Sequence, residues 1–171
     1  NVVQTLASQL EPEDLDRYYT TREMDQQYYE IQRFIRDMAE NNDVVYLYVV
    51  RPHGTGVTFL FDSDMETGDG GGYDSGAYCA LGSYTELFGE FGKNLDKFLA
   101  GEYVTPIIQD DPAYGWLMTA STPVLHADGT MAGYVMADIS MNEVMNTRQV
   151  FLLTLAGLMV GITVVFLMLF L

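Results

Sequence analysis

The carboxyl-terminal run Val150–Leu171 contains no charged residue, and its only hydroxyls belong to Thr154 and Thr163. As a helix rising about 1.5 Å per residue it is roughly 33 Å long, enough to cross a bilayer core of about 30 Å. Every charge in the chain therefore lies in Asn1–Gln149, a length suited to one soluble domain. The sequence holds 24 Asp and Glu against 8 Lys and Arg, a formal charge of −16. A surface this acidic repels phosphates and excludes nucleic acid as a partner. The abundance of Tyr, Phe, Leu and Val excludes disorder, and the lone Cys79 excludes a disulfide scaffold.

Asn1 opens the chain with no basic or apolar leader, and Leu171 still lies inside the apolar run, so the chain reads as an internal segment of a longer protein. Arg148 is the only base in Met141–Gln149. Because positive residues favour the cytoplasmic side, the large acidic domain is expected outside the cell membrane. Within the span, Gly157 and Gly161 stand four residues apart, a spacing that lets two helices approach closely and points to a homodimer.

From Pro12 to about Asn41 there is no glycine, and Pro12, Glu13 and Asp14 suit a first helical turn. Met24, Tyr28, Ile31, Ile35 and Met38 recur at helical spacing, which predicts one long amphipathic helix. Val44–Val50 is β-branched and aromatic, and Val57–Phe61 forms its hairpin partner after the turn Arg51–Gly56. Asp62–Tyr78, with five acids and Gly70-Gly71-Gly72, predicts a long exposed loop. Thr85–Ala100 predicts a short helix closed by Gly101, with Leu87, Phe88, Phe91, Leu95, Phe98 and Leu99 inward. Three strands are expected after it, at Tyr103–Ile108, Gly115–Leu125 and Met131–Ile139, the last two joined by a turn at Asp128-Gly129.

Ser140-Met141-Asn142-Glu143 has the form of a capping box, and nothing after it breaks a helix. The last strand is therefore expected to feed the membrane span through one continuous rod. These elements make an α+β domain around a central antiparallel sheet of about five strands, with a long N-terminal helix and an exit helix that becomes the span. The expected divisions are residues 1–43 as the helical segment, 44–140 as the sheet core, 141–149 as the juxtamembrane helix and 150–171 as the span.

Two stretches carry a resemblance to a known family. They are Val44-Val45-Tyr46-Leu47-Tyr48-Val49-Val50-Arg51-Pro52 and the closing hairpin, Gly115–Val124 with Gly133-Tyr134-Val135-Met136-Ala137-Asp138-Ile139-Ser140. In this order, before a membrane helix, they resemble the Cache family, the PAS-like extracytoplasmic sensor domains of bacterial receptors, in a single-module form covering about Glu13–Val144. The resemblance implies a pocket on one side of the sheet for a small carboxylate or amine, with Asp138 matching a ligand-contacting aspartate of amine-binding members. No arginine precedes Trp116 where amino-acid-binding members place one, and Arg51 is the only base between Arg36 and Lys93.

Strand alternation puts Asp138 on one face with Tyr134 and Met136. A half-buried carboxylate there has two readings: it holds a ligand cation, or it accepts backbone N–H bonds near the strand end. Trp116 shares parity with Met118, and with Tyr48, Phe61, Tyr134 and Asp138 these form the candidate ligand-binding set, although each aromatic also suits plain core. Asp62, Asp64 and Glu66 place oxygens at alternate positions, as Ca²⁺ binding requires, but Thr67 stands where an EF-hand loop needs glycine. His53, His126 and Cys79 have no metal-ligand spacing, and no nucleophile–base motif is found. The sequence thus predicts a non-catalytic, cofactor-free sensor of a small-molecule ligand, with a kinase, cyclase, phosphatase or chemoreceptor output beyond Leu171. The alternatives are a divalent-cation sensor and a membrane-anchored protein-interaction module.

Overall fold

The computed structural model describes residues 2–42, 44–64, 79–111 and 115–170. Three helices lead the chain: α1 (Val2–Ala7), α2 (Pro12–Thr21) and α3 (Gln26–Glu40). Pro12 opens α2, and Glu13 and Asp14 lie in its first turn, where the helix dipole favours them. The single helix expected across Pro12–Asn41 is broken. Arg22 takes the left-handed conformation, φ 58°, and its N–H closes α2 on the Tyr18 carbonyl at 3.1 Å. Asp25 then caps α3 by accepting the Tyr28 N–H at 2.8 Å. Arg17 pairs with the same carboxylate, and the Tyr18 hydroxyl donates to it at 3.0 Å, so the break is a tied corner. Asp25 ahead of Tyr28 is the local signal of the break, outweighed in the sequence by the unbroken apolar seam.

The sheet has six antiparallel strands in the order β3-β2-β1-β6-β5-β4. They are β1 (Tyr46–His53), β2 (Gly56–Asp62), β3 (Tyr84–Glu86), β4 (Ile107–Asp111), β5 (Gly115–Leu125) and β6 (Met131–Ser140). Antiparallel β1 and β6 occupy the centre, pairing Tyr46 with Asp138 and Val50 with Tyr134. β1 runs on through Pro52, past the last residue paired with β6, where the missing N–H removes no ladder bond on that side. The strand beyond the expected five is β3, which pairs with Gly56–Thr58. Only glycine fits at position 56, since a Cβ there would lie 2.1 Å from the Thr85 carbonyl oxygen. This pairing replaces the start of the expected Thr85–Ala100 helix. The remainder of that stretch winds into two single turns, α4 (Gly89–Lys93) and α5 (Leu95–Leu99). Of the six residues expected inward there, Phe98 is buried, while Phe88 is 70% exposed and Leu99 also faces out. The expected strand Tyr103–Ile108 shifts to the sheet edge as β4.

Alternation divides the buried residues between two layers. On one face Leu47, Val49, Phe61, Val135 and Ala137 pack under Val3, Leu6, Leu15, Tyr18, Tyr28 and Ile35 of the helices. On the other, Val50, Val57, Tyr134 and Met136 meet Phe98, Val104 and Ile107. α6 (Asn142–Phe170) leaves β6 after one residue, and its Val144–Met168 portion is long and apolar enough to cross a membrane. Of the expected capping box, the Ser140 hydroxyl accepts the Asn142 N–H at 3.5 Å, and the Glu143 side chain lies outside the described residues. The first helical bond runs from the Met145 N–H to the Met141 carbonyl at 2.9 Å, so Met141, not Ser140, is the cap position. Ser140 stays in β6, because the ladder pairs it with Leu117.

Candidate functional site

A cavity of about 440 Å³ opens on the sheet face away from the three helices. Its floor is Tyr48 of β1, Phe59 of β2 and Met136 of β6. Residues from Leu87 to Phe91 form the roof, while Glu86, Gln109 and Asp110 line it from the two outer strands. The void results from the roof's construction. Five-residue helices present too few apolar side chains to fill the space over a sheet, whereas α2 and α3 on the opposite face present whole turns. Gly89, at φ +57°, makes the entry to α4, and a Cβ there would touch the Gln109 side chain at 3.6 Å.

Beside the floor, Asp138 is 8% exposed and accepts two side-chain hydrogen bonds at Oδ1. Thr119 Oγ1 donates at 2.5 Å and the Tyr48 hydroxyl at 3.3 Å. Cross-strand pairing dictates this trio, since Thr119 stands opposite Asp138 and Tyr48 lies two residues along β1 from Asp138's other partner, Tyr46. Burial pushes the Tyr48 phenol well above its usual range, and the Asp138 charge pushes it further. The phenol therefore stays protonated and donates at neutral pH. Asp138 itself is not part of the cavity wall.

The six candidate residues do not form one cluster. Tyr48, Tyr134 and Asp138 share the cavity face. Phe61, Trp116 and Met118 lie on the helix-covered face, because Met118 pairs with Ile139 and Trp116 is in register with Met118, both out of phase with Thr119 and Asp138. Phe61 is fully buried, stacked on Tyr28 at 4.6 Å and edge-on to Tyr18 at 5.6 Å. Tyr134 points its hydroxyl at the Glu102 carbonyl, 2.8 Å, and the Lys97 carbonyl, 3.3 Å, so it ties β6 to the end of α5. Burial raises its phenol pKa as well.

Trp116 matters here through its backbone. Its N–H donates to Asn142 Oδ1 at 2.8 Å and its carbonyl accepts the Met141 N–H at 2.8 Å. Gly115, at φ +74°, allows the approach, since a Cβ would come within 2.5 Å of Asn142 Oδ1. The start of α6 is thereby clasped to β5 as well as continuous with β6.

Of the metal candidates, Glu66 lies outside the described residues. Asp62 accepts the Asp64 N–H at 3.1 Å and the Cys79 N–H at 2.8 Å, which joins the two ends of the segment between them. Burial nonetheless raises the Asp62 carboxyl pKa, outweighing both bonds. Asp64 lines a second, smaller cavity of about 210 Å³ with Arg36 and Glu40. Among the described residues no group of three or more His, Cys, Asp or Glu is placed to hold a metal ion.

Sequence reasoning missed the outer wall: Glu86, Leu87, Phe91, Gln109 and Asp110. The only local signal is the pair of acids set beside apolar runs in Tyr84–Phe91 and Ile107–Asp111.

No family model matches the chain, and no curated protein is similar to it in sequence. Among solved structures it is similar to the sensory domain of the Campylobacter jejuni chemoreceptor Tlp3 (CcmL) with isoleucine bound, at 10% identity and a TM-score of 0.47 over 85% of this chain. It is also similar to the ligand-binding domain of Tlp3 with L-valine, at 13% identity and 0.44, and with L-norvaline, at 11% and 0.39, again over 85% of this chain. The chain spans about half the length of these structures, 51%, 52% and 58% respectively.

Proposed function

We propose that this chain is the extracytoplasmic small-molecule-sensing domain of a membrane signalling receptor, and that it passes ligand occupancy through α6 to an output domain. The observation that carries the reading is a cavity floored by Tyr48 and Met136 of the two central strands, one of which runs straight into the membrane-length helix. A ligand that presses on Met136 acts on β6, and β6 delivers any displacement to α6 within one residue. The Trp116–Asn142 clasp adds β5 to the moving unit, so the closing hairpin and the rod shift together. The ligand needs only to prefer one of two rod positions. Each ~1.4 kcal/mol of differential affinity is a tenfold shift in population.

Gly157, with nothing within 4 Å, offers the face on which a second copy packs, with Gly161 one turn on. A dimer turns a small displacement of one rod into a change of helix–helix geometry across the bilayer. The domain's role is binding, with catalysis left to the output. Asp62 is committed to backbone N–H groups, which disfavours the divalent-cation alternative.

The test uses the whole chain in lipid nanodiscs, spin-labelled on α6 near the membrane surface, and screened against small carboxylates, amines and nucleobases by thermal shift. Stabilisation by one class together with a change in the label-to-label distance is expected. Binding at the cavity with no change at α6 would remove the transmission half of the reading, and no stabilisation by any class would remove the sensing half.

A further inference from the structure

Strand register decides which side chains of the outer strands reach the large cavity. Ile107 and Val57 belong to the core of the cavity face. Gln109, two residues along β4 from Ile107, and Thr85, paired with Val57, therefore share that face. Asp110 pairs with Trp116 and Glu86 with Gly56, so both carry their carboxylates on the opposite face. None of the lining residues is Lys, Arg or His, and among those described none turns a charged side chain inward. Asp138 lies outside this wall, its Oδ1 held by Thr119 and Tyr48. What remains is rings and aliphatic carbon, with one open polar group of note. The Gln109 amide oxygen lies beside Gly89 at the entry to α4, and the side chain makes no hydrogen bond to any described residue.

Resting on the reading of this cavity as the sensor site, we propose that its ligand is an uncharged flat ring with a carboxamide or lactam edge, hydrogen-bonded to Gln109. A primary amide presents a donor and an acceptor side by side in one plane. A ligand N–H next to a ligand C=O answers both at once. The ring lies against Tyr48 and Phe59 of the floor and Phe91 of the roof, where stacked and edge contacts add to burial. The volume of about 440 Å³ falls in the range of roughly 300–1,000 Å³ that small-molecule sites occupy. This class departs from the charged ligands that the family resemblance implies. A carboxylate sheds its water on entry and finds no base. An ammonium sheds its water and finds no carboxylate, and ring faces alone return less than that loss. The formal charge of −16 repels anions further; it draws cations to the mouth but gives them no partner inside.

Three near-isosteres separate the possibilities: benzamide, benzoate and benzamidinium share one flat body and differ in charge at neutral pH. Each is titrated by ligand-observed NMR against the whole chain in nanodiscs, with empty nanodiscs as the blank. Benzamide is expected to bind at least about tenfold more tightly than either ion. Gln109→Leu weakens benzamide about tenfold. Gln109→Glu reverses the order, so that benzamidinium binds more tightly than benzamide. Phe91→Leu, which keeps the bulk and removes the ring, weakens benzamide about fivefold. Gln109 is half-buried on the outermost strand, so the ligand-free melting temperature serves as the folding control.

Benzoate or benzamidinium binding the unaltered chain as tightly as benzamide overturns the neutral assignment and leaves the sensor reading standing. Unchanged benzamide affinity in Gln109→Leu overturns the part given to that amide, and the ligand edge inferred from it falls too. Silence of all three ligands overturns both this inference and the sensor reading beneath it.

Discussion

The two faces of the sheet use the same residue types to opposite ends. On the helix-covered face, Tyr18, Tyr28 and Phe61 form an edge-and-stack trio with no exposed surface. On the other face Tyr48 and Phe59, 5.6 Å apart and tilted, stay half-buried around a void. Phe59 and Phe61 stand two apart on β2, and in a regular strand they would share a face. The bulge opposite Val49 and Val50 shifts the register so that they do not. Packing density is thus set by what covers a strand more than by what is in it. A layer of full-length helices closes the core, and a roof of single turns leaves room for a guest.

The sharpest way to break this comparison is to remove one ring from each side. Phe61→Ala is expected to cost about 3–5 kcal/mol in urea unfolding, because the rings around it cannot collapse into the space. Phe59→Ala, already facing a void, is expected to cost about 1 kcal/mol or less. Equal costs would mean that the cavity face is as tightly packed as the helical one.

Gly115→Ala should come next, at about 1–3 kcal/mol, since it strains a left-handed position and pushes Asn142 off the Trp116 N–H. Its signature is specific: faster amide exchange at Trp116 and through the first turn of α6, with the cavity strands unchanged. Tyr134→Phe removes the hydroxyl that holds the roof to β6, for about 1 kcal/mol, and hydrogen exchange should rise in Leu95–Glu102. A uniform rise over the domain would show that the roof is not a separate unit.

The smallest effect is at the corner of the helical layer. The Tyr28 N–H, and after it Arg17, hold the Asp25 carboxyl below its ordinary value of 3.8. An acid with a depressed folded pKa contributes stability above its unfolded value and loses it as pH falls through the folded one. Asp25→Ala should therefore lower Tm by about 2–4 °C at neutral pH, and the gap should close as pH falls below 3.8 toward the depressed value. A gap independent of pH would assign the loss to packing instead of to charge.

Much of the fold was legible because it rests on local chemistry. The Asp128-Gly129 turn between two apolar runs marks its hairpin, and Gly115–Leu125 is a strand with the bounds expected. Asp138, Tyr134 and Met136 share a face as alternation requires. The corner at Arg22 was not legible, because a tied corner between Arg17, Tyr18 and Asp25 outweighs a continuous apolar seam only once α3 has a sheet to pack on. The candidate site was half legible. Tyr48 and Asp138 meet as neighbours across β1 and β6, but Trp116 and Met118 belong to the opposite face, since parity within β5 does not say which face β6 will offer it.

The amino-acid order alone decided the membrane-length rod and its direct continuation from a strand, for no charge or proline interrupts Val150–Leu171 and no proline interrupts the turns of helix before it. It also decided the alternation along β6 through Tyr134, Met136 and Asp138, because side chains on an extended backbone alternate wherever no bulge intervenes, as one does between Phe59 and Phe61. Tertiary structure decided which alternate face is sealed and which is open, and brought Leu87 and Gln109 from distant segments to one cavity. That outcome depends on register between strands and on the length of the helices laid over them, and neither is a property of any one segment.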